Sequence, residues 1–332
     1  MLPSPDLLPD VLPTERLTAR ATARPELRAE YRRIPDLRNA VTVGSALLQT
    51  FGVVVAAGWI GTWWAYLAAF LVMGRGHCQL NILGHESAHR LLFSRRRLND
   101  FWGRWLIGYP ALQGTLSYRR AHLAHHRDEM GPEEPDAGLY EGYPISSDSL
   151  RRKLTRDLLF VSGVKNLRSL ARAARKEGRG GREARQVVAV QVALFAGALA
   201  WGRPLLYPLC WLAPWMTLWK VSNRLRAIAE HGGMTRSDDR RLTTHHVRQR
   251  PLARLLIVPY NTGWHLAHHV DIAVPFRHLP AFHAELVASG WVVPGLEYPN
   301  YRSLWKKLAS GERKARPARD DRTESAGSFL PG

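Results

Sequence analysis

Fourteen histidines occur in this 332-residue chain. Eight of them fall into three short boxes: His85-Glu86-Ser87-Ala88-His89, His122-Leu123-Ala124-His125-His126 and His265-Leu266-Ala267-His268-His269. The second and third boxes are the same five-residue string. On a helix, residues three and four apart share a face, so each box presents two or three imidazoles in one direction. Neutral imidazole suits iron, zinc, copper and nickel. Eight such ligands exceed what one tetrahedral zinc can use, which makes a pair of metals the natural count. Carboxylates stand beside every box: Glu86 in the first, Asp128 and Glu129 after the second, Asp271 after the third. Such groups accept hydrogen bonds from the remote ring N–H and fix each tautomer. A solvated loop charge is an equally consistent reading for any single one of them.

Two other chemistries compete for these residues. His85-Glu86-Ser87-Ala88-His89 matches H-E-x-x-H, which in a zinc metalloprotease places two ligands and a general base on one helical face. That reading needs only one further ligand and leaves the other two boxes unexplained. A metal transporter would carry its ligands near the membrane midplane, whereas these boxes cluster at one expected surface. Of the remaining histidines, His245-His246 sits in a basic loop without a third partner at ligand spacing. His77 lies one face-repeat from His85 and reads as a hydrogen-bonded helix residue. His278 and His283 follow the third box as structural residues.

The elements that must hold the boxes are apolar runs separated by arginine-rich stretches. The formal charge is +19, but the basic residues sit beside the apolar runs and no nucleic-acid-binding motif is present, so the pattern points to anionic lipid rather than nucleic acid. Residues 1–38 are polar and hold seven arginines from Arg16 to Arg38. Val41 to Ile60 is uncharged and long enough to cross a hydrocarbon core of about 30 Å. After Gly61-Thr62 a second run goes from Trp63 to Met73 and continues helically through Gln79 and Leu83. Residues 101–118 read as an interfacial or re-entrant piece. Twelve Lys and Arg residues lie between Arg151 and Arg185. A second hairpin follows: Val187–Trp201, a turn at Gly202-Arg203-Pro204, then Leu205–Trp219. Basic residues flank the open ends of both hairpins, so the positive-inside rule places both termini and the large loops in the cytoplasm. Trp63, Trp64 and Tyr66, or Trp211, Trp215 and Trp219, are candidates to line a lateral slot, with membrane-interface belts as their plainer reading. Cys78 and Cys210 form no metal-spaced pair. The N-terminus has no signal-peptide pattern, and the stretch from Glu312 is expected to be a disordered tail.

Three histidine boxes in this order, separated by hairpins, resemble the integral-membrane fatty acid desaturase and hydroxylase superfamily, over roughly residues 40–290. Ala229-Glu230-His231-Gly232 is similar to the segment carrying the family's additional histidine, and Pro275 with Leu279-Pro280 is similar to its Pro…Leu-Pro pattern. The third box is followed by Val270-Asp271-Ile272 rather than the Leu-Phe-Pro type of sequence frequent in lipid desaturases. The resemblance implies an all-α membrane protein with four transmembrane helices, as two hairpins, under a cytoplasmic helical cap. It divides the chain into an N-terminal segment (1–38), a desaturase-like domain (39–295) and a C-terminal segment (296–332). It implies a di-iron centre held by His85, His89, His122, His125, His126, His231, His265, His268 and His269, with dioxygen as co-substrate. The expected activity is insertion of a double bond into a fatty acyl chain or related lipid, with lipid hydroxylation or carotenoid ketolation as the alternative. No cytochrome b5-like His-Pro-Gly-Gly segment is present, so the electrons are expected from a separate donor such as ferredoxin or a cytochrome b5-like protein. The 40 arginines against 7 lysines suit a high-GC bacterium and its inner membrane.

Overall fold

In the computed structural model, which describes residues 1–312, a short helix α1 (Pro25–Tyr31) leads into α2 (Asp36–Ile60). The first apolar run therefore extends five residues further toward the N-terminus than its uncharged stretch. It stops at Gly61, whose φ of 70° lies in the left-handed region and whose N–H returns to the Ala57 carbonyl. A residue with a Cβ pays a steric penalty there, and glycine does not. Thr62 is extended and α3 (Trp63–Ala88) turns back antiparallel, so the expected first hairpin is present. As the sequence suggested, α3 runs past Gln79 and Leu83, which carries the first histidine box on its last turn.

Residues 96–127 reverse the chain over the end of α3. A short α4 (Arg96–Phe101) continues into a π-helical turn, Trp102–Gly108, and after a bend α5 (Thr115–Arg127) carries the second box. Ile107, Tyr109, Ala111 and Leu112 are buried in this bend, which is not a full span. Beyond it come α6 (Ala137–Tyr140) and the basic pair α7 (Ser147–Leu158) and α8 (Val161–Ala174).

The second hairpin departs from expectation in its return arm. Its first helix, α9 (Gly178–Ala200), is continuous. The run Leu205–Trp219 instead divides into a π-helical segment (Leu206–Leu212), a single turn α10 (Ala213–Met216), a break at Thr217 (φ −125°, ψ −85°) and α11 (Leu218–His231). Pro208 and Pro214 explain the division: each lacks an N–H and its ring crowds the preceding turn. Thr217 Oγ1 donates to the Ala213 carbonyl at 2.7 Å and helps satisfy the broken ladder. The turns of both hairpins lie side by side, because Arg203 of the second covers Gly61 of the first.

The remaining elements close the cap: α12 (Pro251–Leu256), α13 (His265–Val270) with the third box, α14 (Leu279–Ala288) and α15 (Tyr301–Leu308). Two-residue strands β1 (His246–Val247) and β2 (Glu297–Tyr298) pair in parallel. The N-terminal segment is part of this cap. Leu17, Ala21, Ala23 and Tyr31 are buried against Leu266, Phe282 and Leu286. Arg16 forms a two-point ion pair with Glu285, at 2.7 Å on each side, and the Tyr31 hydroxyl donates to the same carboxylate at 2.8 Å.

Among the described residues, two helical stretches, Pro25–Ile60 and Gly178–Ala200, are long and apolar enough to cross a membrane. The second half of α3 carries Arg75, His77, Gln79 and Asn81, and the fourth run is broken. Large apolar side chains on the outer faces of the hairpins are exposed, among them Leu48 (74%), Trp59 (76%) and Trp63 (77%). The expected disordered tail lies outside the described residues, apart from its first residue.

Candidate metal centre

Four helices deliver histidines to one place. His85 and His89 come from the last turn of α3, His122, His125 and His126 from α5, His231 from the end of α11, and His265, His268 and His269 from α13. All are buried except His89, which is half-buried. Hydrophobic burial of the helix flanks fixes their approach, and the i, i+3 and i, i+4 spacings turn the imidazoles inward.

The nine rings form two adjoining groups. In the first, His85, His89, His122, His126 and His268 have their ligand nitrogens within 4.8 Å of one another. His122 and His268 each bring Nε2 to 3.1 Å from Nε2 of His126. In the second, His265 Nε2 lies 3.1 Å from His231 Nε2 and 3.0 Å from His269 Nε2. His125 packs against both His231 (ring centroids 4.9 Å apart) and His269 (5.1 Å). The groups touch where the rings of His126 and His269 lie with centroids 4.3 Å apart.

The outer ring atoms show what the inner ones must be. His231 Nδ1 donates to the Thr243 carbonyl at 3.0 Å and lies 3.1 Å from Glu129 Oε1. His269 Nδ1 is 3.2 Å from the other oxygen of the same carboxylate, and His265 Nδ1 is 3.6 Å from Glu230 Oε1. His125 Nδ1 is 2.9 Å from both oxygens of Glu134. Protons held at Nδ1 leave lone pairs at Nε2 in the neutral rings. Several lone pairs converging within about 3 Å repel unless a cation sits among them. His89 Nε2 and both nitrogens of His85 are buried without any partner. The donor set therefore fits bound metal at two positions.

Charge around the centre is arranged to match. Burial alone would push the Glu129 carboxyl up, but His269 and His231 beside it hold it well below the usual carboxylate range. Arg240 completes its shell at 2.5 Å and the Thr244 hydroxyl at 3.0 Å. Burial holds His122, His126 and His268 well below the ordinary histidine value, which keeps them in the neutral, ligating form.

The sequence profile of the family described as Fatty acid desaturase matches residues 61–305, most of the chain. The chain belongs to the fatty acid desaturase family. Dihydrorhizobitoxine desaturase of Bradyrhizobium elkanii is a distant relative, 23% identical over 266 residues that cover 74% of this chain and 75% of that protein. This desaturase-family chain is thus a desaturase-like oxidoreductase, mostly helical, with histidine clusters able to hold metal.

All nine histidines expected as ligands meet in the structure. The flanking carboxylates divide. Glu129 serves the rings as expected, whereas Asp128 pairs with Arg236 at 2.8 Å and Asp271 with Arg32 at 2.8 Å. Glu134 and Tyr140, whose hydroxyl is 3.3 Å from His125 Nδ1, are contacts that sequence reasoning missed. The only hint was the acidic stretch Glu133-Glu134-Pro135-Asp136 soon after the second box. Histidines left out of the ligand set stay out. His77 Nε2 meets the Trp211 carbonyl at 2.9 Å, His245 Nε2 meets Gly232 O at 2.8 Å, and His246 pairs with Glu297 and His283. Of the aromatics considered, Trp63 and Trp64 lie on the outer surface, while Trp211, Trp215 and Trp219 are buried.

Glu86 has a different task from a peptidase base. Its Oε1 accepts the Phe276 N–H at 2.9 Å, tying α3 to the loop that follows the third box. Glu86→Leu, which loses this acceptor, is expected to lower thermal stability by about 1 kcal/mol, the typical worth of one hydrogen bond, whereas Glu86→Gln keeps the acceptor and is expected to leave metal content and stability unchanged. Loss of all metal in this variant would reverse that assignment.

Proposed function

We propose that this chain is a membrane-bound, oxygen-dependent di-iron desaturase. His85, His89, His122, His126 and His268 would hold one iron, and His125, His231, His265 and His269 the other. The observation that carries this reading is the convergence of Nε2 lone pairs in two adjoining groups, with His125, His231 and His269 held from behind by a carboxylate or carbonyl. All-histidine ligation suits iron among several metals, and the family narrows the choice. When bound, such a metal pair supplies an oxidant strong enough to take hydrogen from an unactivated C–H bond.

The residues of the chain position and insulate. Glu129 and Glu134 hold ring protons at Nδ1 and so keep Nε2 free to ligate. Arg240 neutralises Glu129. Buried Trp219, which lines the cavity beside the histidines, keeps bulk water away from the reacting carbon.

Four crossings in two hairpins fit the exposed apolar faces of α2, α3 and α9, with the fourth crossing made by the broken run up to Trp219. The arginines at the open ends favour a cytoplasmic cap and termini, in a bacterial inner membrane. Desaturation of a CH2–CH2 unit consumes one O2, two electrons and two protons, and yields a double bond and two waters. The electrons come from a separate donor, a ferredoxin or cytochrome b5-like protein.

The test is turnover under 18O2 with a reduced ferredoxin as donor. A product lighter by two hydrogens with no 18O is expected. A product carrying one 18O atom would make the enzyme a hydroxylase instead, and electron-independent peptide hydrolysis would contradict oxygen chemistry altogether.

A further inference from the structure

The space next to the histidines is not lined for a hydrocarbon alone: beside Trp219, Leu139 and Ala227 it carries several polar side chains. A small cavity of about 50 Å³ is bounded by His85, His122, His125, His231 and His265 on one side. Asn81 lies one helical turn before His85, and Asn223 and Arg226 precede His231 by two turns and just over one, so the opposite wall is on the hairpin side of the cluster. A reacting carbon has to arrive there. The polar side chains lining it are Asn81, Gln113, Asn223, Arg226 and Glu230, with Asp136 beside His125.

These groups are short of partners. Asn81 Oδ1, Gln113 Oε1 and Glu230 Oε1 are buried without a hydrogen bond, in residues only 8%, 2% and 8% exposed. The Arg226 guanidinium is no closer than 3.7 Å to Glu230 and 3.4 Å to Asn223 Oδ1. Buried polar atoms left unpaired cost free energy, and an alkyl chain laid against them would leave every one unpaired. The surplus is of acceptors, together with one cation whose pairing to Glu230 is a long contact of 3.7 Å. By contrast, the large apolar groove, about 590 Å³ between α3, α7 and α11, touches none of the nine histidines.

We propose that the substrate's reacting end is polar and zwitterionic, of the amino-acid type. Its ammonium group would be received by Glu230, Asp136 and the Asn81 oxygen, and its carboxylate by Arg226. The proposal rests on the histidine cluster being the metal centre at which substrate reacts. It replaces the acyl chain expected from the family at that centre with a small amine-bearing molecule. A site built to pair such groups rejects analogues lacking them, because its own buried atoms are then stranded.

The experiment uses the full chain, iron-loaded and purified in detergent, with calorimetric titration of L-norleucine, hexanoate, hexylamine and palmitate. L-Norleucine is expected to bind at least about tenfold more tightly than hexanoate or hexylamine, each of which offers half of the recognition. Asn81→Leu and Arg226→Gln should each weaken norleucine by about tenfold or more with iron content unchanged. If Arg226→Gln loses iron, Asn223→Leu takes its place. Absence of norleucine binding at millimolar concentration overturns the proposal. So does palmitate binding that is tighter than norleucine and strengthened by Asn81→Leu. Iron retained with palmitate-only binding contradicts this inference and leaves the oxidoreductase reading intact, whereas a chain that takes up no iron contradicts that reading.

Discussion

Replacing His268 with alanine is expected to abolish turnover and to remove about one of two irons, or both, while the purified protein keeps its helical content. His268 belongs to the five-histidine group, with its Nε2 3.1 Å from His126 Nε2. His85 and His89 lie against it, with ring centroids 4.7 Å away in both cases. The ring is also buried, at 3% exposure, so its removal leaves a void inside the cluster where a ligand nitrogen stood. His126 sits against both groups, through His268 and through His269, so loss at one position disturbs the other. His245→Ala is the matched control. That ring bonds the Gly232 carbonyl and faces Tyr298, so its removal should lower thermal stability and spare the iron. Equal iron loss in both variants would mean that the histidines act through folding rather than ligation.

Glu129→Ala is the second large effect, although Glu129 supplies no atom to the metal. One carboxylate spans His231 Nδ1 at 3.1 Å and His269 Nδ1 at 3.2 Å, and is itself held by Arg240 and Thr244. Its removal frees two rings to rotate or change tautomer, which typically costs about 10–100-fold in metal affinity. It also leaves the Arg240 charge without its partner, a smaller loss because that side chain is 29% exposed and water reaches it. Glu129→Gln keeps the shape but loses the charge, so an intermediate iron affinity is expected. Iron titration under anaerobic conditions measures this. Wild-type affinity in Glu129→Ala would show that the carboxylate does not orient the rings.

The ligands were legible in the sequence because helical spacing maps directly onto shared faces. His122, His125 and His126 needed only the 3.6-residue repeat to point together, and His231 was legible from the local Ala229-Glu230-His231-Gly232 pattern. The groups behind the rings were less legible. Glu129 was one of four flanking carboxylates with equal claims, and only the fold sends Asp128 to Arg236 and Asp271 to Arg32. Glu134 reaches His125 because the loop after α5 doubles back, a contact set by no periodicity. The hairpin through Gly61 followed from composition. The broken fourth run was written in Pro208 and Pro214, but its uniform hydrophobicity concealed them. The docking of residues 1–24 onto the cap depends on long-range contacts such as Arg16 with Glu285, which local pattern does not encode. The polar wall around Asn81 and Arg226 was likewise invisible, since α3 and α11 are joined there only in three dimensions.

The most direct test of the central claim is metal content, with iron and zinc both measured on protein purified in detergent from iron-supplemented cells. The account predicts about two irons per chain, fewer in His268→Ala, and unchanged content in Glu86→Gln. About one zinc with no iron, indifferent to His125 and His268, would contradict it in favour of the H-E-x-x-H peptidase chemistry.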